Sequence, residues 1–286
     1  MSKSKMFLAG CCVAVSLLLF TASARSQTYT FTSIDMPGAT STICIDINNA
    51  GAVIGYYTDP SGAEHGFLLR DGAFSNINFA YDTSTYPWGI NDLGQIVGWG
   101  FDFDEGGPQG FMVSGGKVTI VDDPDGYNTN LFSITNSGVI VGSYSTGTAY
   151  VGFTDSGGTF TNIDAPDADG TEVYGINRQG WLVGVALNRE GVPRGFLDKD
   201  GEFTGLSFPG AQATVAYRIN DKGEVAGQYE GQSGVINGYV WGAGVFTTVT
   251  FPSSIQTTVD GLNNAGTLVG AYLDTSGVAH GFIATP

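Results

Sequence analysis

Two sets of side chains in this sequence have types and spacings that could do chemistry. The first is acidic: Asp122, Asp123 and Asp125, followed by Asp164, Asp167 and Asp169. Carboxylates drawn from two neighbouring loops are the donors that a hard cation such as calcium takes. Asp167-Ala168-Asp169-Gly170 is too short for an EF-type loop, and acidic residues are also ordinary turn formers. Calcium is therefore an expectation that depends on the two loops meeting in space. The second set is aromatic: Tyr81, Tyr86, Trp88 and Trp99, with Phe101 close behind. Flat aromatic faces can stack on a sugar ring or grip a protein surface. Trp88 also has a structural alternative, because it directly precedes Gly89-Ile90-Asn91 and could pack between structural units.

Recognisable catalytic sets are missing from the sequence. His65 and His280 are the two histidines, and neither sits in His-Glu-x-x-His. Gly-x-Ser-x-Gly and phosphate-loop patterns do not occur. Paired carboxylates exist, but sequence does not set the separation that glycoside hydrolysis requires. The reading that fits is a non-catalytic binding module for carbohydrate or protein, with no cofactor other than calcium. The alternatives are an extracellular carbohydrate-active hydrolase or lyase using loop carboxylates, and a structural surface or matrix component.

The N-terminus places the chain in a cell compartment. Lys3 and Lys5 precede an apolar run from Met6 to Phe20, and Ala22-Ser23-Ala24 has the small-x-small form of a signal peptidase site. Residues 1–24 therefore read as a secretory signal peptide and residues 25–286 as one repeat domain, secreted to the periplasm or beyond. The apolar run is shorter than the about 20 residues a membrane span needs. Leu8-Ala9-Gly10-Cys11 resembles a lipoprotein box but has almost no apolar region before it. Formal net charge is −16, which repels nucleic acid and anionic lipid surfaces and keeps a monomer soluble. Cys11 and Cys12 leave with the leader, so Cys44 has no internal disulfide partner and reads as a small buried hydrophobe.

The elements that must position these residues are repeats. Gly89-Ile90-Asn91-Asp92-Leu93-Gly94-Gln95-Ile96-Val97-Gly98 recurs in related form, with turn glycines at Gly51, Gly94, Gly138, Gly180, Gly223 and Gly266, separated by 42 to 44 residues. A second anchor keeps the same period: Gly66-Phe67, Gly110-Phe111, Gly152-Phe153, Gly195-Phe196, Gly238-Tyr239 and Gly281-Phe282. Two anchors with one period define a six-fold tandem repeat. Each unit holds short β-branched and aromatic runs between Gly, Asn and Asp turns, which predicts four antiparallel strands. The hairpin glycine supplies a left-handed backbone, and the central glycine of strand two, such as Gly184, is expected to admit the neighbouring sheet.

A third anchor, the apolar residue opening a Thr-rich run, appears at Phe31, Phe74, Val118, Phe160, Phe203 and Phe246. Its first copy precedes the first turn motif, so the chain starts with the last strand of a unit. An open solenoid has no use for such a split, whereas a closed ring does. The expectation is an all-β, six-bladed β-propeller, closed by the N-terminal strand completing the last blade.

The Gly-Ile-Asn-x-x-Gly-x-x-Val-Gly motif, followed by His65-Gly66-Phe67 and His280-Gly281-Phe282, resembles the HAF-type extracellular repeat of bacterial secreted proteins. The other four units carry Gln109, Val151, Arg194 and Asn237 at the histidine position. The resemblance implies a secreted bacterial protein and brings no catalytic residues with it. Within a blade, the one-to-two and three-to-four turns share one face and are uniform. The variable two-to-three and four-to-one connections share the other, where binding is expected.

Overall fold

The computed structural model describes residues 28–78, 84–102 and 107–286. Tyr81 and residues 1–24, expected from sequence to be a signal peptide, lie outside the described residues. The remainder forms six four-stranded antiparallel sheets, arranged as the blades of a propeller. Blade 1 comprises Ser41–Ile47, Val53–Thr58, Glu64–Arg70 and Ala73–Ile77; blade 2, Thr85–Ile90, Ile96–Asp102, Gly107–Ser114 and Lys117–Ile120. Blade 3 comprises Tyr127–Ile134, Val139–Ser145, Tyr150–Ser156 and Phe160–Ile163; blade 4, Gly170–Ile176, Leu182–Leu187, Pro193–Lys199 and Glu202–Leu206. Blade 5 holds Ala213–Ile219, Val225–Glu230, Ile236–Gly242 and Val245–Val249.

Blade 6 takes Gln256–Leu262, Leu268–Leu273 and Ala279–Thr285 from the C-terminal end, and its outermost strand is Thr30–Ile34. That strand pairs from Thr30↔Thr285 to Ile34↔Gly281, the closure the split repeat predicts. The first strand of each blade touches the first strands of both neighbouring blades, so these six strands surround the axis.

The two periodic anchors fill the space between blades. The aromatic anchors Phe67, Phe111, Phe153, Tyr239 and Phe282 are fully buried, and Phe196 nearly so. Each contributes about 2 to 3 kcal/mol of apolar burial. The glycine before the aromatic lets the next blade approach. A Cβ on Gly238 would lie 2.4 Å from Val259 Cγ2, and one on Gly281 would lie 2.6 Å from Cys44 Sγ. The central glycine of strand two does a different job from the one its spacing suggests. A Cβ on Gly184 would meet the Glu172 carbonyl 2.0 Å away, within the same blade. Cys44 is buried and unpaired, as a small core residue would be.

Each first strand carries a β-bulge at the same step, between Cys44/Asp46, Pro87/Gly89, Leu131/Ser133, Val173/Gly175, Ala216/Arg218 and Val259/Gly261. A bulge inserts an unpaired residue and re-aims its side chain. Here the six bulged residues are Ile45, Trp88, Phe132, Tyr174, Tyr217 and Asp260. Trp88 and Tyr217, from opposite blades, lie 6.4 Å apart between ring centroids, so these side chains meet at the axis.

Candidate functional site

The repeated asparagine determines the geometry at one end of the axis. In Asn48, Asn91, Asn177, Asn220 and Asn263, Oδ1 accepts the backbone N–H groups two and four residues on, closing the hairpin. The amide Nδ2 then donates to the backbone carbonyl of the same position in the next blade. The ties are Asn48 to Asn91, Asn91 to Thr135, Asn177 to Asn220, Asn220 to Asn263 and Asn263 to Asn48, at 3.0 to 3.3 Å. Thr135 has no amide, and among the described residues the blade 3–4 junction is the one without such a tie.

Inside this collar is an axial funnel of about 560 Å³, floored by Asp46, Ser133 and Arg218. These floor positions alternate with Gly89, Gly175 and Gly261. A Cβ on Gly261 would lie 2.8 Å from the Asp46 Cα, and one on Gly89 2.7 Å from the Ser133 Cα. Glycine is needed at these three positions because the backbone of the next blade lies against each of them.

Arg218 is 4% exposed and joins four blades. Its Nη1 donates to the Tyr174 and Tyr217 carbonyls at 2.9 Å each, and its Nη2 donates to the Trp88 carbonyl. Nε lies 3.1 Å from Asp46 Oδ1. Its N–H is not directed along that contact, which makes it a charge contact and not a hydrogen bond. Burial pushes the Asp46 carboxyl up, and the Arg218 charge and the Ile90 N–H pull it back. Asp260, also axial, is raised to about 7 by burial, opposed by the Thr258 hydroxyl and Arg218. Glu172 is raised by burial and accepts a 3.1 Å bond from the Tyr174 hydroxyl.

The aromatic candidates separate into two places. Trp88 turns to the axis, where its ring meets Phe132 at 5.2 Å and lies parallel to Tyr174 at 6.2 Å. Its indole N–H is buried without a partner. Tyr86 and Trp99 come together on the loop-rich face as a cross-strand pair, stacked at 4.1 Å. Tyr56 of blade 1 meets Tyr86 edge-on at 5.3 Å, and Phe101 meets Trp99 at 5.7 Å. The Tyr86 hydroxyl donates to Glu64 of blade 1, and burial together with Glu64 raises that phenol to about 12. Phe101 is 37% exposed. The same cross-strand position holds Ile43–Tyr56, Asn130–Ser143, Glu172–Val185, Val215–Gln228 and Thr258–Ala271 in the other blades. Five blades pack without an aromatic pair there, so the scaffold does not require one in blade 2.

The acidic candidates are mostly engaged with their own loops. Asp122 Oδ1 accepts the Gly110 N–H at 3.2 Å, and Asp123 Oδ1 accepts the Asp125 N–H at 2.9 Å. Asp123 is buried and its carboxyl is raised by that burial. Asp164 and Asp167 are exposed, the latter at a left-handed φ of 59°, and Asp169 pairs with Arg189 at 3.4 Å. Among the described residues, no group of three or more His, Cys, Asp or Glu side chains is arranged to hold a metal ion. The histidines work locally: His65 reaches Asp59 at 3.1 Å, and His280 reaches Asp35 at 2.8 Å and Asp274 at 3.5 Å.

No family model matches the chain, and no curated protein matches it in sequence. Solved structures do share its fold. The Aleuria aurantia lectin, in complex with Fucα1-6GlcNAc, is 12% identical with a TM-score of 0.55, over 85% of this chain and 91% of the lectin. TolB from Acinetobacter baumannii is 14% identical with a TM-score of 0.57, over 87% of this chain and 64% of TolB. The β-propeller domain of the trilobed protease from Pyrococcus furiosus is 10% identical with a TM-score of 0.53, over 86% and 94%. At such identities the likeness is one of fold. Among the described residues, no helix is long and apolar enough to cross a membrane.

Proposed function

We propose that this protein is a secreted, non-catalytic binding module that holds carbohydrate on its loop-rich face, at the junction of blades 1 and 2. The observation that carries this reading is the series Tyr56, Tyr86, Trp99 and Phe101, a run of aromatic rings beside the Glu64 carboxylate. It occurs at one blade junction and is not demanded by the repeat. Aromatic faces take the apolar side of a sugar ring, and a neighbouring carboxylate accepts its hydroxyls. Propeller lectins among the structural neighbours support a binding role for the fold. The leader-like segment before Ala24 supports export.

The rival reading is an extracellular hydrolase. It draws on Asp260 and Glu172, two axial carboxylates whose raised titration is a common mark of acid–base sites. A glycan array probed with the purified mature chain, run beside a polysaccharide hydrolysis panel, separates the two. The binding reading expects glycan retention without turnover, with affinity lost in Trp99→Ala. Turnover abolished by Asp260→Asn, Glu172→Gln or Asp122→Ala would replace it. A calcium-dependent rise in melting temperature would add a cofactor to either.

A further inference from the structure

We infer that the cavity between blades 2 and 3 is a separate binding site for one neutral sugar ring, an inference that rests on the carbohydrate reading above. The cavity measures about 320 Å³ and is lined by Gly107, Pro108 and Gln109 on one side and by Asp122, Gly126, Tyr127, Asn128 and Thr129 on the other. That is near the low end of ligand pockets, which start at about 300 Å³. It lies on the far side of blade 2 from the Tyr86–Trp99 stack.

Asn128 is the strongest sign that the cavity is built for a ligand. Its φ is +56°, and it is the one non-glycine residue inside a described strand with a left-handed backbone; the other five sit in turns. Asn128 belongs to a second β-bulge, between Tyr127 and Asn130, that the other five first strands lack. Such a conformation is uncommon outside glycine, and such residues cluster at ligand sites. The twist carries the amide into the cavity, where Oδ1 lies 2.7 Å from the place a Gly107 Cβ would take. Gly107 therefore leaves the room that the amide occupies.

The rest of the lining supplies complementary groups. No other described residue hydrogen-bonds the amides of Gln109 and Asn128, so both retain donors and an acceptor for hydroxyls. Asp122 is held in place by the Gly110 N–H. Tyr127 is 56% exposed, and its hydroxyl lies against Gly147, where a Cβ would be 2.1 Å away. The ring stands at the rim as a stacking face. The equivalent junction between blades 6 and 1 is filled, because His280 stands at the Gln109 position and bonds Asp35, the counterpart of Asp122, at 2.8 Å. Two planar amides, a carboxylate and a tyrosine ring suit vicinal hydroxyls and a ring face. The carboxylate and the net charge of −16 exclude uronic and sulfated sugars.

The test is titration calorimetry of the mature chain with neutral hexoses, N-acetylhexosamines, glucuronate and a sulfated hexose, in wild type and in Asn128→Gly, Tyr127→Ala and Trp99→Ala. Asn128→Gly is informative because glycine accepts the left-handed backbone without strain, so the fold is kept while the amide is lost. The expected result is that Asn128→Gly and Tyr127→Ala each weaken one neutral sugar by about tenfold or more, with melting temperature unchanged or raised in Asn128→Gly. Binding that survives in both variants but falls in Trp99→Ala overturns the second site and leaves the blade 1–2 reading intact. A preference for glucuronate or the sulfated sugar overturns the assigned ligand class. A wild-type chain that binds no sugar overturns both readings.

Discussion

Arg218 on blade 5 crosses the axis and donates from Nη2 to the backbone carbonyl of Trp88 on blade 2, the blade directly opposite. Through the same guanidinium it also holds blade 4 and the Asp46 carboxylate of blade 1. One side chain thus ties four sheets together across the axis.

Removing that cation should be expensive. Arg218→Met leaves Asp46 buried and uncompensated and strips three carbonyls of their donor, for an expected loss of about 3 to 5 kcal/mol in urea denaturation. Asp46→Asn in the same chain should recover part of the loss. A single variant with the wild-type midpoint would show that the cross-axis tie is not a determinant of stability.

The untied junction between blades 3 and 4 invites repair. Thr135→Asn places an amide where the other five units have one, opposite the Asn177 carbonyl. Thr135 Oγ1 already accepts the Val139 N–H at 3.1 Å, the role that asparagine Oδ1 plays elsewhere. A gain of about 1 kcal/mol is expected, or roughly 2 to 4 °C by calorimetry. An unchanged or lowered melting temperature would refute this account.

Tyr239 stands where the other five units have phenylalanine, and its hydroxyl is buried without a partner. Burial also pushes the phenol up in pKa. Tyr239→Phe removes an unsatisfied polar atom and leaves the ring, so stability should rise by about 1 kcal/mol or more. A destabilised variant would mean that the hydroxyl has a partner, such as a buried water.

Asp260 makes stability depend on pH. Burial raises it from 3.8 to about 7, so the folded state holds a proton that the unfolded chain releases. Its contribution is therefore fully present below 3.8 and is lost as pH rises through about 7. Asp260→Asn cannot ionise, and its advantage over the wild type should grow across that window and level off above it. Parallel curves across the window would contradict an ionising axial carboxylate.

His280 acts in the same direction at the closing strand. Partial burial lowers it, but the hydrogen bond and charge of Asp35, followed by those of Asp274, outweigh this and raise it above 6.5. Its ring also stacks on Tyr272 at 5.1 Å. The contribution is complete below 6.5 and fades as pH rises through the raised value. Because Asp35 follows the N-terminal strand, hydrogen exchange in Thr30–Ile34 should quicken over that range in wild type. In His280→Gln the rate should already be fast and, after correction for intrinsic exchange, independent of pH. A wild-type strand whose corrected exchange ignores pH would exclude the latch.

Much of the fold was legible because a repeat reports the same local physics six times. Gly94 and Phe111 mean little alone, but their copies at a common period predict a hairpin and a buried anchor in every blade. Closure followed from Phe31 preceding the first turn motif. The axial site was not legible in this way. Asp46, Ser133 and Arg218 look like ordinary strand residues, and only alignment of the units shows them alternating with Gly89, Gly175 and Gly261. The bulge that turns Trp88 to the axis and separates it from Tyr86 and Trp99 is a matter of strand pairing, which no single unit announces. Asn128 could not be found by type, since its signal is a backbone angle.

The asparagine ties also imply an order of their own. They run unbroken from blade 4 through 5, 6, 1 and 2 to blade 3, passing straight over the joint where the N-terminal strand completes blade 6. The hydrogen-bonded sequence of blades is therefore a circular permutation of the covalent one. A rearranged gene that joins the present ends and opens between Ile163 and Gly170 would bring the two into register, with the new termini flanking the one junction that no amide spans.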